Sequence, residues 1–289
     1  MKQHWVPKCY LKAWIDPCEK RLWVFSKDGS YVRYGIPQTL FRETDMYTIV
    51  KPDGTRDQVL EHRLSELETR FVEIRERKFE RYLPLDQTEF VWICAFMALM
   101  HRRTRVARER FRRAWSPILA DLEAMKKWAD NATPEQKMRM ASPLRPSLDS
   151  TTHSYTEVRN WVENPLQYFL PSAVRDLTPV LRKLDWAVFT TDDDIGFITS
   201  DHPCIWLDPE IHKRPPLDSS NALTSKAIEI TLPISPRQCI LLNRVGLVGY
   251  FDVQQPIVDR ANRKTRYYCG THFVVGKKEK RAVWFETDA

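Results

Sequence analysis

"LDQTEFVWICAFMALMHRRTRVARERFRR", residues 85–113, decides the architecture, because it runs an eleven-residue apolar stretch directly into seven arginines within thirteen residues. Asp86 and Glu89 supply an acidic first turn after Pro84, so a helix is expected to begin near Asp86 and to continue into the arginine segment. Its first half, "FVWICAFMALM" (90–100), is apolar on every side and reads as the central buried helix. Eleven residues fall well short of the roughly 20 that span a bilayer. The second half emerges into solvent or onto a ligand.

Upstream, the segment from Asp57 to Phe79 places Leu60, Leu64, Leu67, Phe71 and Ile74 at steps of four and three, one apolar stripe on a long amphipathic helix. Before it, "RLWVFSKDGSYVRYG" (21–35) holds two β-rich runs around Asp28-Gly29, the pattern of a hairpin. After it, residues 115–184 read as further helices broken by Pro134, Pro143, Pro146, Pro165 and Pro171. From Trp186 the character turns to strands. "WAVFTT", the turn "DDDIG" and "FITS" suggest a second hairpin, and "AIEITLPI" and "QCILLN" two more strands. "QPIVDRANRKTRYY" returns to helix, and "HFVVG" and "AVWFE" close as strands. The expected fold is α+β: one domain over residues 1–289, with a helical middle region packed on a mainly antiparallel sheet built from both ends of the chain. The proline-bearing loop at 200–221 is of the kind that is either functional or mobile.

Ten Trp and thirteen Phe argue against disorder. The absence of a basic, apolar and small-residue succession near Met1 leads to the expectation of a soluble, cytoplasmic protein with no membrane partner. The six Cys (9, 18, 94, 204, 239 and 269) are scattered without metal-ligand or disulfide spacing and read as free thiols. Net charge is +7, but residues 101–113 and 259–281 contribute +6 each, leaving −5 elsewhere. Concentrated positive charge on an acidic body fits a nucleic acid or another anionic ligand; solvated helix ends are the plain alternative.

Several side chains carry candidate chemistry. His4, in the aromatic opening "MKQHWVPKCYLKAWID", is the first-choice general base, with a hydrogen-bonded core histidine as the alternative, and His101 competes with it for that role. Glu61 and Glu68 lie two helical turns apart on one flank of the apolar stripe, placed to pair with arginines or, with Asp201, to hold a divalent Mg or Mn ion. His101, Arg105, Arg108 and Arg112 share one helical face suited to phosphates, and Arg102 or Arg103 reaches toward a pocket. Asp201 and Ser200 close a strand beside the long loop, where either an Asx turn or a catalytic group is usual, although no Gly-x-Ser-x-Gly elbow surrounds Ser200. Tyr10 and Asn262 are candidate ligand contacts.

The opening "HWVP" at His4–Pro7, followed by Tyr10, Leu11 and Trp14, resembles an uncharacterised bacterial family, domain of unknown function 4238, marked by His-Tyr-x-Pro near the chain start. Trp5 departs from that pattern. The resemblance continues through "DMYTI" (45–49), the helix carrying Glu61 and Glu68, "MHRRTRVAR", where the family often has Gln in place of His101, "ITSDHP" and "LPISPRQC". It implies a shape and a residue list rather than a reaction.

Two function classes follow. In the first, a nuclease or phosphodiesterase uses His4, Glu61, His101, Arg103 and Asp201 as catalytic groups, with Tyr10, Arg102, Arg105, Arg108, Ser200 and Asn262 contacting substrate. In the second, a non-catalytic module grips nucleic acid or an acidic partner, although no phosphate-cradling glycine loop, RNA-recognition signature or helix-turn-helix spacing is present.

Overall fold

A computed structural model describes residues 2–50, 54–140, 153–208, 223 and 225–286. In chain order the elements are β1 (Lys2–His4), α1 (Lys8–Leu11), β2 (Leu22–Ser26), β3 (Val32–Gly35), β4 (Arg42–Thr44), β5 (Ile49–Val50), β6 (Arg56–Asp57), α2 (Val59–Arg77), α3 (Gln87–Arg102), α4 (Arg105–Asn131), α5 (Pro134–Met140), α6 (Tyr155–Glu163) and α7 (Pro165–Leu181). They continue with β7 (Asp185–Thr190), β8 (Thr199–Ser200), β9 (Ile205–Leu207), β10 (Glu229–Ser235), β11 (Gln238–Asn243), β12 (Gly249–Asp252), α8 (Gln255–Tyr268) and β13 (His272–Val275).

The architecture is mixed α+β, with central helices and sheets that draw on both the N-terminal and C-terminal strands. One sheet runs β12-β7-β11-β10-β9 and is antiparallel except for β12 against β7. A four-stranded sheet runs β3-β2-β13-β8, antiparallel throughout, so early strands pair with the last one, and β1-β4 and β5-β6 form two small two-stranded sheets. The Asp28-Gly29 hairpin forms as expected, with Gly29 at φ +72. The apolar stripe of α2 buries Leu64, Leu67, Phe71 and Ile74, and α3 buries Ile93, Cys94 and the run from Phe96 to His101, with Ala95 half-buried. Phe71 and Phe96 stack at 3.9 Å between these two helices, while α7 packs on α3.

Four expectations about the elements are corrected. The helix starting at Asp86, which closes a capping box with Glu89, stops at Arg102. Thr104 then takes an extended conformation, and its hydroxyl caps α4 by accepting from Ala107 N at 3.2 Å. The helical phase resets there, so His101 and Arg105 do not lie on one continuous helical face. Secondly, β7 and β8 do not form a hairpin: β7 pairs with β11 and β12, whereas β8 joins β13 in the other sheet. The crossing turn is tied by Asp193 Oδ1, which accepts from Ile195 N and Gly196 N, and Gly196 is required because a Cβ there would meet Pro236 O at 2.0 Å. Thirdly, "AVWFE" is a 3-10 turn over Ala282–Phe285 that buries Trp284, whose indole donates to Asp259 at 2.7 Å. Finally, Pro171 lies inside α7 instead of breaking it, whereas Pro165 begins that helix and Pro134 begins α5. Pro143, Pro146 and most of the 200–221 loop lie outside the described residues. Among the described residues no helix is long and apolar enough to cross a membrane.

Candidate functional site

The sequence-nominated residues separate into two clusters and an internal scaffold. The first cluster fastens the chain's opening. Here β1 pairs with β4, Gln3 is buried with its amide on Thr48 and its carbonyl oxygen receiving Tyr47 N, and Trp5 packs on Phe41. Arg103, only 2% exposed, donates to Glu68 Oε1 at 2.7 Å, to the Tyr47 hydroxyl at 3.1 Å and to the His4 carbonyl at 2.6 Å. Burial opposes the Arg103 charge, but Tyr47 and Glu68 outweigh it and hold the guanidinium more firmly protonated than usual. The contact of Arg103 with His4 therefore runs through the backbone. The imidazole Nε2 donates to Gln38 O at 3.3 Å, and burial lowers its pKa. Glu61 stands close enough for Arg103 and Glu68 to act on it; burial raises its pKa, and its Oε2 is enclosed without a hydrogen bond. Cys9 lies 3.8 Å from Glu68, and burial pushes its thiol up to about 12.

Four further nominees make internal bonds. Tyr10 is fully buried, its hydroxyl donating to Pro233 O at 2.6 Å and receiving the Thr199 hydroxyl at 2.7 Å. Asn262 ties α8 to the β7–β8 connection, accepting from Ile198 N and donating to Gly196 O, both at 2.9 Å. The Ser200 hydroxyl accepts from His202 N at 3.1 Å. Asp201 closes the turn from α8 to β13, receiving Gly270 N, Thr271 N, the Thr271 hydroxyl and His272 N. Its carboxylate is thus saturated away from Glu61 and Glu68. The three do not assemble as a cation site, and among the described residues no group of three His, Cys, Asp or Glu side chains does.

The arginine faces are the reverse of the expected ones. Arg105 and Arg108 both clamp Glu43, at 3.0 and 2.9 Å, with Arg105 also lying 4.4 Å over the Trp5 ring. Arg112 donates to the Val162 and Glu163 carbonyls at the end of α6. Arg110 and Arg113, on the other side of α4, are exposed and make no ion pair among the described residues.

The second cluster sits where α3 hands over to α4. The buried His101 donates from Nδ1 to Cys204 O at 3.0 Å; a carbonyl only accepts, so the proton resides on Nδ1 and Nε2 keeps its lone pair. Its ring stacks on Trp206 of β9 at 4.2 Å and lies 5.4 Å from His202. His202 Nδ1 meets the Thr104 hydroxyl at 2.9 Å, joining the cap of α4 to the exit of β8. Arg102 lies 5.9 Å over Trp206, and its buried Nε makes no hydrogen bond. Burial lowers the His101 pKa well below its usual range, with His202, Arg102 and Arg110 adding to the effect. Burial, against the pull of Asp201, brings His202 down to about 4, with Arg110 and Arg102 pushing the same way. Arg102 itself is lowered by burial and by the charge of Arg110. Arg102, two neutral imidazoles and an indole therefore meet at this joint, with the charge of Arg110 acting on them, and neither arginine has a carboxylate partner among the described residues. Of these groups, His101 and Arg102 were nominated by sequence. His202 was overshadowed by the neighbouring Asp201; its place in "SDHP", at a strand exit, was the available clue.

Fold and cluster together define an α+β protein whose central helix pair carries a positively charged, histidine-bearing joint. The chain belongs to the DUF4238 family, described as a protein of unknown function, whose sequence profile matches residues 2–265. No curated protein and no solved structure matches the chain.

Proposed function

We propose that the protein acts on a phosphate-bearing substrate as a nuclease or phosphodiesterase, with the phosphate held by Arg102 and Arg110 and with His101 and His202 transferring protons. The observation that carries this reading is the pairing of the His101 and His202 rings, 5.4 Å apart, beside an Arg102 that lies over Trp206 with its buried Nε making no hydrogen bond and with no carboxylate partner among the described residues. Guanidinium groups suit phosphate because they stay charged and donate in a planar fork, and in a partly buried site they stabilise the charge that builds on phosphorus-bound oxygens. Bringing a phosphate anion between them relieves their mutual repulsion and favours protonation of the imidazoles. The lone pair on His101 Nε2 takes the proton of an attacking hydroxyl, and a protonated His202 gives one to the leaving oxygen, so one P–O bond forms as another breaks. In this reading Arg103, Glu68 and the His4 backbone hold the opening segment against the same helix end, and Asp201 sets the position of His202.

The test is hydrolysis of single-stranded RNA, single-stranded DNA and bis(p-nitrophenyl) phosphate by the full chain, in EDTA and with Mg²⁺ or Mn²⁺. Expected is cleavage whose kcat falls about 100-fold in His101→Gln, in the range typical of a general base, and whose KM rises in Arg102→Met. A second reading, a nucleic-acid or acidic-partner binding module without chemistry, is favoured by the very depression of His202, which makes it a weak base at neutral pH. Substrates left intact under all three conditions, with salt-sensitive binding retained, select that reading.

A further inference from the structure

Resting on the assignment of phosphate to Arg102 and Arg110, we propose that the ligand is single-stranded nucleic acid, led along Arg110 and Arg113 and stacked on the exposed ring of Tyr267 beside Lys27. Val106, Arg110 and Arg113 follow at steps of four and three and so form one face of α4. Against Val106 lies the turn leaving α8: a Cβ on Gly270 would stand 2.9 Å from Val106 Cγ2 and 3.2 Å from Asp201 Oδ2. Glycine thus lets that turn lie against the first turn of α4, beside the residue preceding His202. Lys27 Nζ donates to Cys269 O at 2.8 Å and stands 5.9 Å from the centroid of the Tyr267 ring. Tyr267 is 56% exposed and is held edge-on by Tyr268 at 5.0 Å.

The cations of α8 itself are engaged elsewhere. Lys264 and Arg260 pair with Glu229, Arg263 donates to Val283 O, and Arg266 to Trp284 O. Lys27 and Tyr267 therefore present a cation and an exposed aromatic ring together, joined to the first turn of α4 through the Cys269–Gly270 turn that lies against Val106. Cations alone would serve a duplex, an acidic peptide or a single strand equally. An open ring adds affinity only for a ligand with unpaired bases to stack, because a duplex keeps its bases within its own stack.

The experiment is fluorescence anisotropy of the full chain with a labelled dodecathymidylate carrying uncleavable phosphorothioate linkages, competed by the matching duplex and by polyglutamate, alongside calorimetry with inorganic phosphate. Expected are at least about tenfold preference for the single strand and a five- to tenfold loss of its affinity in Tyr267→Ala, recovered in Tyr267→Phe. Arg110→Glu is expected to weaken both the oligonucleotide and inorganic phosphate. Full single-strand affinity in Tyr267→Ala, or equal competition by duplex or polyglutamate, overturns the inference while leaving the phosphate assignment standing. Unchanged phosphate binding in Arg110→Glu instead overturns that assignment.

Discussion

Replacing Arg103 with Met tests how the opening segment is held. The side chain is 2% exposed and the partner carboxylate of Glu68 20% exposed, so the substitution leaves a largely enclosed negative charge without its counter-ion. Removing one partner of a buried pair costs about 3–5 kcal/mol. The residual water contact of Glu68 places the electrostatic loss near the lower end of that range. The His4 carbonyl and the Tyr47 hydroxyl also lose their donor, at about 1 kcal/mol each. Urea unfolding followed by tryptophan fluorescence should therefore show Arg103→Met destabilised by about 3–5 kcal/mol. Glu68→Leu alone strands the arginine, but the double variant Arg103→Met/Glu68→Leu removes both charges, and its loss should fall short of the summed single losses by at least about 1.5 kcal/mol. A loss below about 1 kcal/mol in Arg103→Met, or strict additivity in the double variant, refutes the claim that this ion pair anchors the opening segment.

Three further outcomes are expected. The folded-state pKa of His202 is about 4 against 6.5 for the free side chain, so the unfolded chain takes up a proton that the folded chain refuses as pH drops through this window; stability is lost on going from pH 7 to 4.5, by about 2.5 kcal/mol from this residue, and His202→Gln should show a correspondingly flatter profile in urea midpoints. Gly196→Ala, at φ +71 and with Pro236 O in the way, should cost more than about 2 kcal/mol by the same assay. Arg105, 54% exposed in its pair with Glu43, should tolerate alanine with less than about 1 kcal/mol lost and little change in oligonucleotide affinity, whereas Arg110→Ala should lower the slope of log affinity against log salt by about one.

Where periodicity and local turn chemistry dominate, the sequence is readable: the α2 stripe, the Asp28-Gly29 hairpin, the β10 and β11 strands and the α8 helix all form where expected. The misreadings have tertiary causes. Thr104 ends α3 because its hydroxyl is held between Ala107 N and His202, a partner 98 positions away, so the phase of the arginines could not be carried past it. The β7–β8 turn has hairpin composition, yet Gly196 lies against Pro236 and sends the chain to the other sheet. The spacing of Arg105 and Arg108 leaves their partners unspecified; Glu43 arrives from β4 to take both, and Arg112 is taken by the end of α6. His101 was legible as a titratable group beside arginines, while the ring opposite it was not, because only the fold brings β8 to the α3–α4 joint.

The most direct test of the phosphate assignment is NMR titration of the His101 and His202 rings in the full chain, with and without saturating thymidine oligonucleotide. Both imidazoles are expected to titrate below the free-histidine range in the free protein, His202 at about 4, and both pKa values to rise when the phosphates neutralise Arg102 and Arg110. Titration curves that coincide with and without the bound oligonucleotide would contradict it.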